Sequence, residues 1–445
     1  FVNSSGDSQT EYLSDGVTES IINNLSQLPN LRVVSRNTAF RYKGKDFDLK
    51  KVGTELGVRT VVTGRILQAG KTLVVRADMV DTRSDSQLWG AQYNRSIEDI
   101  FAVEQDIASE ISNKLRLRLT NSERRRLAKR HTGSTEAYRR YLKGRFHWNK
   151  RTEEGLRAAM EYFEQAIETD DRYALPFTGI ADSYHILAYY NAISSQEAWQ
   201  KSKEAAGNAL QIDDMLAEAH TSQAAVSAAF DWDWETAETG YARAKELNPN
   251  YATTYHWEAF NLLMMGRVED ATESARRALE LDPLSLIINT DIGWCLYYAR
   301  RYDEAIAQYQ KTLELDSHFA PAIYDLAQAQ VQLGLFDEAI SLLESLPSHP
   351  YDGVLGHAYG LAGMPDEATR ILDELKWRSQ SQYVSPVQFA LVYTGLGQLD
   401  ETFFWLGRAF EVRSPIMAYL KVEPWFDPLR SDPRFEDLLL RLNIP

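Results

Sequence analysis

The chain has 445 residues, is 44% hydrophobic and 25% charged, and carries a formal net charge of −15. That length exceeds what one hydrophobic core supports, so two or more domains are expected. The single cysteine, Cys295, excludes an intramolecular disulfide framework, and no apolar run reaches membrane-spanning length.

Charge is unevenly divided. Residues 1–130 hold 21 Lys+Arg against 16 Asp+Glu, and the remainder holds 27 against 47. The asymmetry places a boundary near residue 130 and makes the acidic part a poor candidate for nucleic-acid binding. The chain opens on Phe1 with no signal-peptide pattern, which reads as a fragment of a longer protein, with any membrane anchor outside it.

In chain order, Val17, Ile21, Ile22, Leu25 and Leu28 predict a helix over 14–28, ended by Pro29. Leu31–Ser35 reads as a short strand, and Lys50–Leu56 as a helix stopped by Gly57. Val58–Leu67 and Thr72–Asp81 read as a hairpin around Gly70, followed by a strand over Ser86–Tyr93. A long helix over Ile97–Leu119 carries Ile100, Phe101, Ile107, Ile111 and Leu115 on one stripe. The order implies an α+β domain over 1–120, a half-sheet covered by helices on one face. A basic linker follows at 121–134; the cationic run Arg116, Arg118, Arg124, Arg125, Arg126, Lys129 and Arg130 reads first as a solvated helix end, with an anionic-lipid or nucleic-acid patch as the alternative.

The rest is governed by a period of 34. Ala244, Ala278 and Thr312 keep step with Pro249, Pro283 and Ser317, and with Ala237, Ala271 and Ala305 upstream. This is a tetratricopeptide-type signature: small residues where two helices cross, and a proline or its substitute where the second helix ends. Tyr241, Ala275 and Tyr309 follow four residues on, along the same face. Residues 135–416 read as an all-α tetratricopeptide-repeat superhelical solenoid of about eight helix pairs. The second has an insertion around Tyr190–Gln196, the third an extra residue in the turn Asp231–Trp234, and the sixth breaks at LPSHP. Residues 417–445 read as a capping segment over the last apolar face.

The stretches YLSDGVTESIINNLSQLPNLRVVSRNTAFRYKGK, ELGVRTVVTGRILQAGKTLVVRADMVDTRSDSQLWGAQYNR and DIFAVEQDIASEI resemble the TolB amino-terminal-like domain that precedes tetratricopeptide repeats in many bacterial proteins. YLKGRFHWNKRTEEGLRAAMEYFEQAIETD, the DWDW turn and the closing WFDPLRSDPRFEDLLLRL match the same pattern. Proteins so built include membrane-spanning serine/threonine kinases, adenylate cyclases and winged-helix regulators. The resemblance implies architecture, a missing first strand before Phe1, and a place beyond the membrane in a kinase; the alternative is a cytoplasmic scaffold on a cyclase or regulator.

Catalytic motifs are lacking. No kinase HRD, DFG or VAIK element is present. Gly70-Lys71-Thr72 ends like a phosphate loop, but Arg65 stands where the first glycine belongs and a strand follows. The eight histidines are dispersed, and the aspartates of DWDW are too few for a calcium loop. No cofactor or metal is expected, and an enzyme is the unfavoured reading.

The remaining candidate is the concave groove. Counting motif positions puts Asp182, His185, His256, Phe260, Met264, Trp294, Tyr297, Tyr298, Tyr324 and Gln328 along it. Aromatic side chains of this kind anchor partners as readily as they fill a core. No lysine or arginine occupies positions 2, 5 or 9, so a carboxylate clamp is excluded. The expected ligand is a protein or peptide segment, apolar or mixed, from a partner or from the amino-terminal domain folding back.

Overall fold

The computed structural model describes residues 1–445 except 29, 116, 118, 128, 347–350 and 445, and only the backbone at 122 and 126. The Pro29 stop, the break at LPSHP, Arg116, Arg118 and the side chain of Arg126 therefore lie outside the described residues.

The amino-terminal domain holds a four-stranded sheet among the described residues, in the order β1-β2-β3-β4. β2 (Thr60–Ala69) and β3 (Thr72–Asp81) are antiparallel across the two-residue turn Gly70–Lys71, with Gly70 at φ +60. A hairpin turn, not a phosphate loop, is what GKT forms. β4 (Ser86–Ser96) continues the sheet, and β1 (Val2–Asn3) pairs in parallel with Arg65 and Ile66. Period-two patterning explains the faces: Leu73, Val75, Ala77 and Met79 are fully buried while Arg76 between them is exposed.

Two helices cover the buried face. α1 (Glu11–Ser26) brings Leu13, Val17, Ile21 and Leu25. After two short helices, α2 (Arg36–Phe40) and α3 (Leu49–Glu55), α4 (Ile100–Lys114) brings Ile100, Val103, Ile107 and Ile111. α4 stops five residues before the expected Leu119, where the Leu117 amide bonds back to the Ser112 carbonyl, a helix-closing contact. The expected strand at Leu31–Ser35 is not one. Its backbone is satisfied by the repeats instead: the Ser35 amide donates to Leu281 O at 3.1 Å, and Asn250 donates to Leu31 O at 3.1 Å.

The connector forms α5 (Asn121–Leu127). Among the described residues eight antiparallel helix pairs follow. They are α6 (Thr135–Trp148) with α7 (Glu153–Thr169), α8 (Ala174–Tyr189) with α9 (Ser195–Ile212), α10 (Ala217–Val226) with α11 (Trp234–Leu247), and α12 (Ala252–Met264) with α13 (Val268–Leu281). Then come α14 (Leu286–Tyr298) with α15 (Tyr302–Leu315), α16 (Ala320–Gln332) with α17 (Phe336–Ser345), α18 (Asp352–Leu361) with α19 (Pro365–Arg378), and α20 (Pro386–Gly395) with α21 (Leu399–Glu411). Ala237, Ala271, Ala305, Ala244 and Ala278 are completely buried, as close helix crossings require. Gly293 shows the same constraint: a Cβ there would stand 2.4 Å from the Tyr309 ring.

Two features turn the solenoid back on itself. The extra residue of the DWDW turn is absorbed by a π-turn over Ser227–Asp231, with Trp232 left-handed at φ 57. This aims Trp232 at Phe410 (ring centroids 5.0 Å apart) and places it under the Arg413 guanidinium at 3.7 Å. Trp234 Nε1 donates to Asn443 O at 2.8 Å, just past the last helix, α22 (Pro433–Leu442). The third pair thus meets the end of the chain. Packing also crosses the connector, because the first helix pair shares one hydrophobic cluster with α1, α4 and the sheet.

Candidate partner-binding groove

The first helix of each pair faces inward and delivers the predicted side chains. On α8, His185 stacks on Trp257 at 4.1 Å, and burial pushes its pKa down to about 3, so it is a neutral aromatic wall. Asp182 accepts from Ser222 Oγ at 2.6 Å, and burial pushes its pKa up to about 6. His256 Nε2 and Asp291 Oδ2 pair at 2.5 Å, with burial raising the Asp291 pKa. Phe260 meets Trp294 edge-on at 5.3 Å, and Trp294 meets Tyr298 at 5.2 Å. Met264 and Tyr297 are buried.

This aromatic row already holds a segment. Residues 415–429 form two 3-10 turns, Pro415–Tyr419 and Pro424–Leu429, that run back into the concave face as a strap. Tyr419 stacks on Tyr298 (5.7 Å, 10°) and touches Trp294 at 5.2 Å. Glu423 receives hydrogen bonds from Tyr298 Oη at 3.0 Å and Tyr297 Oη at 3.4 Å. Arg300 donates to Val422 O and to Asp427, each at 2.8 Å, and Lys421 reaches Met265 O. Tyr419, Leu420, Phe426 and Leu429 are at most 1% exposed.

The structure thus corrects the source of the occupant. Trp294, Tyr297 and Tyr298 hold the carboxy-terminal segment, not a folded-back amino-terminal domain, and that segment does more than cap the last pair. Of the remaining predicted residues, Tyr324 stays half-buried with its ring 4.6 Å from Tyr351, and Gln328 donates to Asp325 at 2.8 Å. Burial, then Asp291 and Glu423, raises the Asp325 pKa well above the usual range. Burial also pushes the Glu423 pKa to about 7.

Motif counting missed Tyr419, Glu423, Arg300, Asp291 and Asp325. Two of them had a signal. Asp291 and Asp325 stand 34 residues apart, in phase, at the sixth position of consecutive inward helices. Tyr419 and Glu423 carried none, since they belong to no repeat. Among the described residues no group of three or more His, Cys, Asp or Glu is placed to hold a metal, and no helix is long and apolar enough to cross a membrane.

Tetratricopeptide-repeat family models match residues 261–318 and 296–352. The chain carries tetratricopeptide repeats. Putative adenylate cyclase 3 of Rhizobium meliloti is 43% identical over 138 residues, 31% of this chain and 24% of that protein. The transcriptional regulator HilA of Salmonella typhimurium is 25% identical over 166 residues, 37% of this chain and 30% of that protein. The chain spans less than a third of the length of either relative. Among solved structures, a human IFIT1 dimer is 16% identical with a TM-score of 0.48, over 74% of this chain and 79% of that one. YrrB, described as a tetratricopeptide-repeat protein with an unusual peptide-binding site, is 19% identical with a TM-score of 0.28, over 48% of this chain and 97% of that one.

Proposed function

We propose that this chain is a non-catalytic binding and scaffolding module of a bacterial signalling protein. Its amino-terminal domain is read as TolB-like, and its concave face as a receptor for segments of mixed apolar and hydroxyl-bonded acidic chemistry. The observation that carries the reading is the strap. An irregular segment is held there by stacked rings and by one carboxylate on tyrosine hydroxyls, with no clamp for a chain terminus. A partner segment uses the same wall, extending from the strap toward Phe260, Tyr324 and Gln328.

The output is proposed to be of the cyclase or transcription-regulator kind, on the cytoplasmic side. Two relatives with different names match only a minor share of their own length, which supports a shared module beside separate outputs. The kinase-linked, extracytoplasmic arrangement is the second reading and rests on the resemblance of the amino-terminal stretches.

The test is to pan a peptide library against the whole chain and measure binding to Tyr324→Ala and Phe260→Ala. Selected peptides are expected to bind without a free terminal carboxylate and to lose about 2 kcal/mol in one variant or both. Dependence on that carboxylate, or parent-like binding by both variants, overturns the groove assignment. Nucleotide turnover abolished by Lys71→Ala overturns the non-catalytic reading.

A further inference from the structure

A second cavity, of about 370 Å³, lies away from the groove, where the amino-terminal domain meets the repeats. α1 and α4 form one wall, α6 with the start of α10 and the end of α11 the other, and the basic connector closes the side. The volume is at the lower end of the range for small-molecule sites, which favour domain junctions.

Its charges are unequal. Glu19 is consumed by Arg145 at 2.7 Å and Arg36 at 3.0 Å. Lys129 is consumed by Asp213 at 2.6 Å. Among the described residues Glu104 receives only hydroxyls, from Tyr138 at 2.8 Å and Ser20 at 2.9 Å. Burial pushes its pKa to about 8, so it stands neutral at pH 7. Glu218 also lines the cavity. So do Arg125 and Arg130, neither with an ion-pair partner among the described residues. The Arg130 guanidinium lies 5.9 Å over Phe101, whose ring packs on Tyr138 at 4.6 Å. The amide side chains of Asn23, Asn24 and Gln27 complete the wall, with no intramolecular hydrogen bond among the described residues.

We propose that this junction is a binding site for a small anion, a carboxylate or phosphate held by Arg125 and Arg130, hydrogen-bonded by the α1 side-chain amides and seated against Phe101. The connector's cations thereby gain a role that neither a solvated helix end nor a lipid patch describes. Because the ligand touches α1, α4 and the connector together, binding ties the amino-terminal domain to the repeats.

The probes are citrate, adenosine monophosphate and inorganic phosphate, each titrated into the full chain at fixed ionic strength and followed by melting temperature and calorimetry. At least one is expected to give a saturable, one-site rise in melting temperature. Its Kd should weaken at least about tenfold in Arg125→Ala and again in Arg130→Ala, the scale of a lost charge-assisted hydrogen bond. Asn24→Asp, which adds an anion to the wall without removing a guanidinium, should weaken it too. No saturable binding by any probe, or binding unchanged in the Arg125→Ala/Arg130→Ala double variant, overturns the site. A Tyr324→Ala control should bind the probe as the parent does, which keeps this result separate from that of the groove.

Discussion

The repeats are gripped from two directions by different chemistry. Along one edge, the amino-terminal domain reads turns. Thr38 and Asn37 donate to Asp282 at 2.8 and 2.9 Å, Asn250 donates to Ser26 O, Leu28 O and Leu31 O, and Arg41 donates to Leu284 O. Across the concave face, the strap inserts rings. The first grip consists of hydrogen bonds, each modest in net worth but costly to leave half-made. The second is aromatic burial, large in area and tolerant of sequence. The polar edge fixes register between domains, and the strap supplies cohesion across the superhelix.

The largest effect is expected where the edge rests on the repeat itself. Ala278 is fully buried, and its carbonyl receives the Asp282 amide. Ala278→Arg forces a charge into a closed helix crossing and should cost on the order of 4 kcal/mol. A melting temperature within about a degree of the parent would contradict the register. Next comes the strap. Tyr419→Ala should cost about 3 kcal/mol by cavity formation beside Trp294 and Tyr298. Denaturant unfolding measures it, and a change below about 1 kcal/mol would mean that the strap is dispensable.

These two sites were unequally legible in sequence. Ala278 announced itself because the 34-residue period repeats the requirement for a small side chain. The hairpin Thr60–Asp81 and the stripe of α4 were readable for the same kind of reason, a local period tied to one buried face. Tyr419 was not readable, because its partners lie more than a hundred residues upstream and proximity comes only from the curvature of the whole superhelix. Leu31–Ser35 misled for a related reason. Its apolar letters suit a strand, yet the hydrogen bonds it needs are supplied by Leu281 and Asn250 in the repeats.

The pH dependence sharpens the comparison. Burial pushes the pKa of Glu423 in the strap from the ordinary glutamate value of 4.5 up to about 7 in the folded chain. Between those values the unfolded chain has released its proton and the folded chain retains it, so stability falls as pH rises from about 4.5 to 7. Glu104, pushed to about 8, contributes with the same sign. Glu423→Gln should flatten the strap's share, on the order of 3 kcal/mol. An unchanged pH–stability profile in that variant contradicts the buried placement. The smallest effect is expected at the polar edge. Asp282→Ala removes the acceptor of the Thr38 hydroxyl and the Asn37 amide, while Thr38 still accepts from the Leu284 amide, and should cost about 1.5 kcal/mol. Faster protease cleavage between α1 and α3 checks it, with the strap unaffected.

The central claim, that the concave face is occupied by the chain's own carboxy-terminal segment, is tested most directly by hydrogen–deuterium exchange across residues 417–426. The Leu420, Val422, Glu423 and Phe426 amides are bonded within the strap and sealed against Trp294 and Tyr298. They are predicted to exchange as slowly as the amides of α12 and α14, and to accelerate in Tyr298→Ala. Exchange at the rate of an exposed terminus in the parent protein would contradict the account.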